Sequence, residues 1–191
     1  MKWFEQVKEL SRKPWIAVVI VTLLVVTTPL RTQASDHVGL PDGLTLKLGT
    51  LCPVCGMKVG GELGAEAIYA YSETKLVGFA GASASVFENG SVVGFDGARC
   101  LFVYNTIPKR FGIDVTKIKH SYVTDFATRK FIDVNDAFFV MGTKVLGFMG
   151  YDLIPFSTKA HAEQFMTEYG GKRIIQRSSA RPEDVDRPKK E

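Results

Sequence analysis

The sequence predicts an α+β fold built from two β-β-α-β units in one compact domain, and three observations carry that prediction. First, the order of two strand-like runs, a helix-like run and a third strand-like run occurs twice. Second, the copies share positions. Phe95 and Phe156 each close a second strand, a helix-capping residue follows at +1 (Asp96, Ser157), an aliphatic residue at +6 (Leu101, Ala162) and an aromatic at +9 (Tyr104, Phe165). Third, 46% of the 191 residues are hydrophobic, which suits a packed core and excludes a disordered or fibrous chain.

The elements follow in chain order. Residues 1–34 read as an export segment: Lys2, Lys8, Arg12 and Lys13 precede an apolar run from Trp15 to Val26, and Thr32-Gln33-Ala34 offers a small residue for cleavage. A membrane-spanning helix needs about 20 apolar residues, so a cleaved signal peptide is the first reading and a short uncleaved anchor through residues 15–30 the second. The remainder is expected to work outside the cytoplasm, in the periplasm, with attachment to the inner membrane if the anchor is retained. Residues 35–49, with Pro41 and Gly43, read as a linker. The domain is expected over 50–176, and 177–191 reads as a flexible polar tail.

Within the domain, Ala82–Glu88 and Ser91–Phe95 form a hairpin around Asn89-Gly90, the strongest short hairpin signal. Asp96 is positioned as the N-cap of a helix that Pro108 ends, and Ile118–Phe126 is the third strand. In the second unit Asp136–Met141 and Leu153–Phe156 are strands and Ser157 caps a helix. The apolar positions Ala162, Phe165, Met166 and Tyr169 of that helix fall at i, i+3, i+4 and i+7. Gly170-Gly171 stops it, and Lys172–Gln176 is the last strand.

Charge excludes one class of function. The chain is formally +4, but residues 1–34 and 172–191 each carry +3, leaving −2 on the body between them. A nucleic-acid-binding body does not fit that distribution. The sequence also lacks a paired-carboxylate motif, a nucleophile elbow or a phosphate loop, so an enzyme is not supported.

Chemistry concentrates in Cys52-Pro-Val-Cys55-Gly-Met57, three sulfur atoms within six residues on a turn. Thiolates and thioethers are soft donors that favour Cu(I). A lone CxxC also fits a thiol–disulfide redox pair, or a plain disulfide in a structural or interaction module without metal. Met149, between Gly147 and Gly150, is the second candidate, either a ligand or a lid over the core. Cys100 reads as a packing thiol inside the first helix, and His37, His120 and His161 as solvated histidines.

Six separated motifs, in order over about residues 50–176, resemble the NosL family. They are Cys-Pro-Val-Cys-Gly-Met at 52–57, Phe-Asp-Gly-Ala-Arg-Cys at 95–100, Val-Thr-Asp at 123–125, Met-Gly at 149–150, Ile-Pro-Phe-Ser at 154–157, and Ala-Glu-Gln-Phe with Gly-Gly. The resemblance implies a fold related to the organomercury lyases and an exported Cu(I) metallochaperone. The copper-accepting partner it implies is nitrous oxide reductase or a related copper enzyme, or a copper transport protein. It implies Met149 as a ligand, so that Cys52, Cys55 and Met149 hold the metal and Met57 assists. Two features depart from the family pattern: no cysteine precedes Cys52 to be acylated, and Tyr151 stands where the family's histidine ligand follows the methionine.

Overall fold

The computed structural model describes residues 36–60, 66–71, 76–147, 150–181 and 184. The expected export segment, Met149 and most of the tail lie outside them. The elements are β1 (His37–Gly39), β2 (Thr45–Lys47), β3 (Glu66–Tyr71), β4 (Leu76–Gly81), β5 (Ser83–Phe87), β6 (Val92–Phe95), α1 (Ala98–Thr106), α2 (Pro108–Phe111), β7 (Ile118–Thr124) and β8 (Phe131–Asp133). They continue with β9 (Phe138–Met141), β10 (Leu146–Gly147), β11 (Gly150–Tyr151), β12 (Ile154–Phe156), α3 (Lys159–Tyr169) and β13 (Arg173–Gln176).

The α+β reading holds. One sheet has the order β6-β5-β7-β8 and another β12-β9-β13. In each, the first strand of a β-β-α-β run is central and pairs antiparallel with the second and the third. The β5–β6 hairpin is closed by a three-residue loop: Gly90 N–H donates to the Phe87 carbonyl, Phe87 N–H donates to the Ser91 carbonyl, and Gly90 takes φ 81°. A type I turn followed by a left-handed glycine matches the right-handed twist of the strands.

Two further sheets frame these units, β1-β2 and β11-β10-β4-β3. The pair β3 and β4 has no counterpart in the sequence reading, although Ile68, Tyr69 and Tyr71 are strand-forming types.

Residues 35–49 are not a linker. Pro41-Asp42-Gly43 turns the chain, with Leu44 N–H on Asp42 Oδ1, and β1 and β2 pair around it. Leu40 and Leu46 are buried in the main core, and Leu46 and Val59 lie directly over the backbone of Gly94 on β6. Burying two leucines stabilises the hairpin by roughly 1.5–3 kcal/mol each, enough to dock three-residue strands that could not stand alone. The start of the tail is fixed as well: Arg177–Ser179 forms a 3₁₀ turn, and Asp184 accepts from Arg181 N–H and pairs with Arg173 on β13.

The second unit has its own core of Val140, Val145, Ile154, Phe156, Ala162 and Phe165, extended by the ring contacts of Phe126 with Phe156 and Phe165. Helix α3 is capped by Thr158, whose Oγ1 accepts from His161 N–H at 3.2 Å, and not by Ser157. Ser157 instead donates Oγ–H and N–H to the carboxylate of Asp125, which lies between the units. Among the described residues, no helix is long and apolar enough to cross a membrane.

Candidate metal centre

The turn at 52–57 is a tight knuckle. Leu51 and Lys58 form an antiparallel bridge, Gly49 N–H donates to the Val59 carbonyl, and Val59 N–H to the Thr50 carbonyl. Inside this frame Cys52 N–H donates to the Met57 carbonyl at 2.8 Å, Gly56 N–H donates to the Cys52 carbonyl at 2.8 Å, and Gly56 takes φ 76°. The chain thus reverses in six residues and brings both cysteine side chains to one side. The apolar support beneath is Val59, fully buried against β6.

The end of β6 supplies the opposite wall. Asp96 does not cap α1: the N-cap is Gly97, with extended backbone and no side-chain bond. The first turn of α1 receives a carboxylate from 53 residues away, since Asp152 Oδ1 accepts from Arg99 N–H at 3.1 Å while also accepting from Leu153 N–H at 2.7 Å. A Cβ on Gly97 would come within 2.7 Å of Asp152 Oδ2, so this approach requires glycine. Asp152 follows the β10–β11 hairpin, whose strands pair Leu146 with Tyr151 and Gly147 with Gly150. The base of that hairpin is thereby held to the helix start that carries Asp96 and Cys100.

With its capping role taken, Asp96 turns toward sulfur. Cys55 Sγ–H donates to Asp96 Oδ2 at 3.2 Å, and the ligand atoms of Cys52, Cys55, Cys100 and Asp96 all lie within 4.8 Å of one another. None of the three cysteines is in a disulfide. Cys52, Cys100 and Asp96 are buried and Cys55 is half-buried, which leaves one edge open. Asp96 Oδ1 is buried and has no hydrogen-bond partner among the described residues.

The three thiols differ in their protons. The Cys100 thiol donates to Cys52, and with the backbone N–H groups of Asp96, Cys55 and Val54 this brings Cys52 down to about 7 against the penalty of burial. Burial pushes Cys55 up to about 12, helped by the neighbouring Asp96 carboxylate. Cys100, donor to Cys52 and buried, is raised far above the ordinary thiol value. The metal-free cluster therefore holds one ready thiolate, and the other two thiols ionise only when a cation replaces their protons.

Of the residues expected to bind metal, Cys52 and Cys55 converge here. Met57 lies on the same knuckle, half-buried, and its N–H supports Cys55. Met149 lies outside the described residues. Tyr151 is 55% exposed. Cys100 and Asp96 enter the cluster although their sequence signals suggested packing and capping. The available clue was their i, i+4 spacing at a helix start, which puts both on one side of the first turn.

The NosL family model matches residues 43–183. The chain is also similar to the crystal structure of the copper chaperone NosL from Shewanella denitrificans, with a TM-score of 0.54 and 22% identity, covering 78% of this chain and 99% of that one. No curated protein matches the chain.

Proposed function

The chain belongs to the NosL family, and from that premise we propose that it is an exported Cu(I) metallochaperone that receives copper at the cysteine cluster and hands it to a copper enzyme. The observation that carries this reading is the convergence of three cysteine sulfurs within 4.8 Å at a half-open edge. Membership in a copper-chaperone family makes the chain a carrier and not an enzyme.

The chemistry follows from the donors. Cu(I) is a soft ion that accepts low coordination by sulfur, so the thiolate of Cys52 captures it and Cys55 joins as its proton leaves. Cys100 supports the pair from the helix side, Met57 on the same turn is assigned as a thioether donor, and Met149 is assigned as another on the strength of the family pattern. Thioethers are neutral and bind without proton release, which suits ligands that exchange during transfer. Backbone N–H groups aimed at the Cys52 sulfur keep the loop closed around the anion whether or not copper is present.

The fit to a thiol–disulfide redox protein is poorer. Such a protein needs its low-pKa thiol exposed to attack; here the low thiol is the buried Cys52, and the accessible Cys55 is held near 12. We assign nitrous oxide reductase or a related copper enzyme as recipient, with a copper transport protein as alternative. The periplasm is the proposed compartment, with residues 15–30 as signal or inner-membrane anchor.

Anaerobic competition of the full chain against a Cu(I) chelator tests the metal. One tightly held Cu(I), lost on Cys52→Ser with Cys55→Ser, is the expected result. Unchanged affinity in that variant would refute the site.

A further inference from the structure

Two strands that are outermost in their sheets among the described residues, β1 and β8, line the same cleft. In an antiparallel ladder, residues that bond across it alternate with residues whose N–H and C=O point away. Between β1 and β2, Leu40 N–H donates to the Leu44 carbonyl and Leu48 N–H to the Asp36 carbonyl, with Val38 opposite Leu46. Asp36, Val38 and Leu40 therefore face β2, and the N–H and C=O of Gly39 point outward. Between β7 and β8, Asp125 N–H donates to the Lys130 carbonyl and Val134 N–H to the Ser121 carbonyl, with Val123 opposite Ile132. By the same alternation the N–H and C=O of Phe131 point outward.

The cleft holds about 360 Å³ and is lined by Gly39, Leu40 and Pro41 from the β1–β2 hairpin and by Arg129, Lys130 and Phe131 from the start of β8. Among the described residues no acidic side chain lines it. Asp42, next after Pro41, turns its Oδ1 back onto Leu44 N–H at 3.2 Å. Lys130 is exposed. Arg129 has φ 62°, the one positive φ outside glycine among the described residues, and its guanidinium carbon lies 4.6 Å from the centre of the Phe126 ring. Backbone outliers of this kind gather at binding sites. A guanidinium held flat on a ring loses little freedom when it meets a carboxylate.

We propose that this cleft is a docking slot for an extended, acidic peptide segment of a partner protein, which adds as a short strand and sets a carboxylate against Arg129 and Lys130. None of these residues belongs to the cysteine cluster, so the inference stands apart from the copper reading.

The chemistry selects the occupant. Gly39 and Phe131 each turn one donor and one acceptor outward, and a peptide backbone answers both where a bare anion answers only the donors. Strand addition draws affinity from main-chain bonds and specificity from alternate side chains, since successive residues face opposite ways. Here one set of alternate positions meets two cations. The chain's own ends do not supply such a segment: residues 1–34 carry +3, and residues 185–191 set Asp186 and Glu191 against Arg187, Lys189 and Lys190.

The probe is an acetylated, amidated hexapeptide alternating valine with glutamate, added to the ¹⁵N-labelled full chain, with the same peptide carrying lysine for glutamate as comparator. The expected result is saturable binding of one acidic peptide, slowed exchange of the Gly39 and Phe131 amides, and binding of the lysine peptide at least about tenfold weaker. Lys130→Glu, an exposed change, is expected to weaken the acidic peptide by at least about tenfold, and Lys130→Arg to keep its affinity. Equal binding of the two peptides, an unchanged affinity in Lys130→Glu, or amides of Gly39 and Phe131 that exchange as before would each overturn the proposal. If no peptide binds but phosphatidylglycerol vesicles slow the same two amides, the slot is a membrane contact and the proposal falls. If the chain self-associates through these amides instead, the slot belongs to a second copy and the proposal falls too.

Discussion

The starts of helices α1 and α3 occupy equivalent places in two units of the same strand order, and each is served by an aspartate from outside its own unit. At α3, Asp125 receives five hydrogen bonds, two of them from Ser157, and Thr158 caps the helix. At α1, Asp152 receives, among the described residues, only the N–H groups of Arg99 and Leu153. Asp96, at the place of Ser157, is left to face sulfur, and Cys100 stands where α3 has the exposed His161. One helix start is closed on itself; the other has its cap supplied remotely, which releases two residues for chemistry. The difference between them is polar satisfaction, since the packing positions Leu101 and Ala162 are buried alike.

The largest expected effect sharpens this contrast on the stability side. Asp125→Ala removes a carboxylate that gathers five donors, and should cost about 3 kcal/mol or more in denaturant unfolding with metal affinity unchanged. Asp96→Asn should cost less than about 1 kcal/mol in the same experiment, because its carboxylate accepts from thiols, which are weak donors. Equal losses in the two variants would erase the distinction between a structural and a functional aspartate.

On the metal side, Cys52→Ser with Cys55→Ser is expected to lower Cu(I) affinity at least about 100-fold, or roughly 2.7 kcal/mol. The equivalent-position control, His161→Ala, should change nothing. A measurable loss in His161→Ala would place copper chemistry in both units.

Much of this was legible beforehand, and the misses share a cause. Both β-β-α-β runs, the Asn89-Gly90 hairpin and the Cys52–Met57 turn are local patterns, and local periodicity and turn chemistry reveal them. The roles of Asp96 and Cys100 depend on contacts 41 or more residues distant in sequence, from Cys55 to Asp96 and from Asp152 to Arg99. An aspartate before a helix is an N-cap by default, and only the remote carboxylate of Asp152 overrules that default here. The β1–β2 hairpin escaped for another reason. Its strands are three residues long, and what holds them is the burial of Leu40 in the main core and of Leu46 against β6, which no pattern within 35–49 announces.

Acidity should separate the two helix starts next. Cys52, at about 7, lies below the usual 9.0 of a thiol, so its ionisation adds stability that is complete above about 9 and gone below about 7. Cys55 and Cys100 are raised, so the stability of keeping them protonated is present below 9 and lost as pH climbs beyond it. The metal-free protein should therefore lose melting temperature between about pH 9 and pH 11, and replacing Cys55 and Cys100 by Ser should flatten that limb. Cu(I) affinity should rise with pH, about tenfold per pH unit for each proton displaced. A pH-independent affinity would mean that the thiols do not give up protons to the metal.

The smallest effect tests the remote cap itself. Burial raises Asp152 from its usual 3.8 to about 7, opposed by the N–H groups of Leu153 and Arg99 and increased by the nearby Asp96. A folded carboxyl held protonated while the unfolded one ionises makes the protein lose stability as pH rises from about 4 to about 7, then level off. Both N–H donors share a single oxygen, Oδ1, and the carbonyl of an asparagine can accept both. Asp152→Asn should therefore keep the cap and remove the titration, gaining stability over the wild type by pH 7 and nothing at pH 4. Equilibrium unfolding at the two pH values reads that difference. If Asp152→Asn is weaker at both, the carboxylate charge is needed at α1, and this helix start would depend on its remote aspartate as heavily as α3 depends on Asp125.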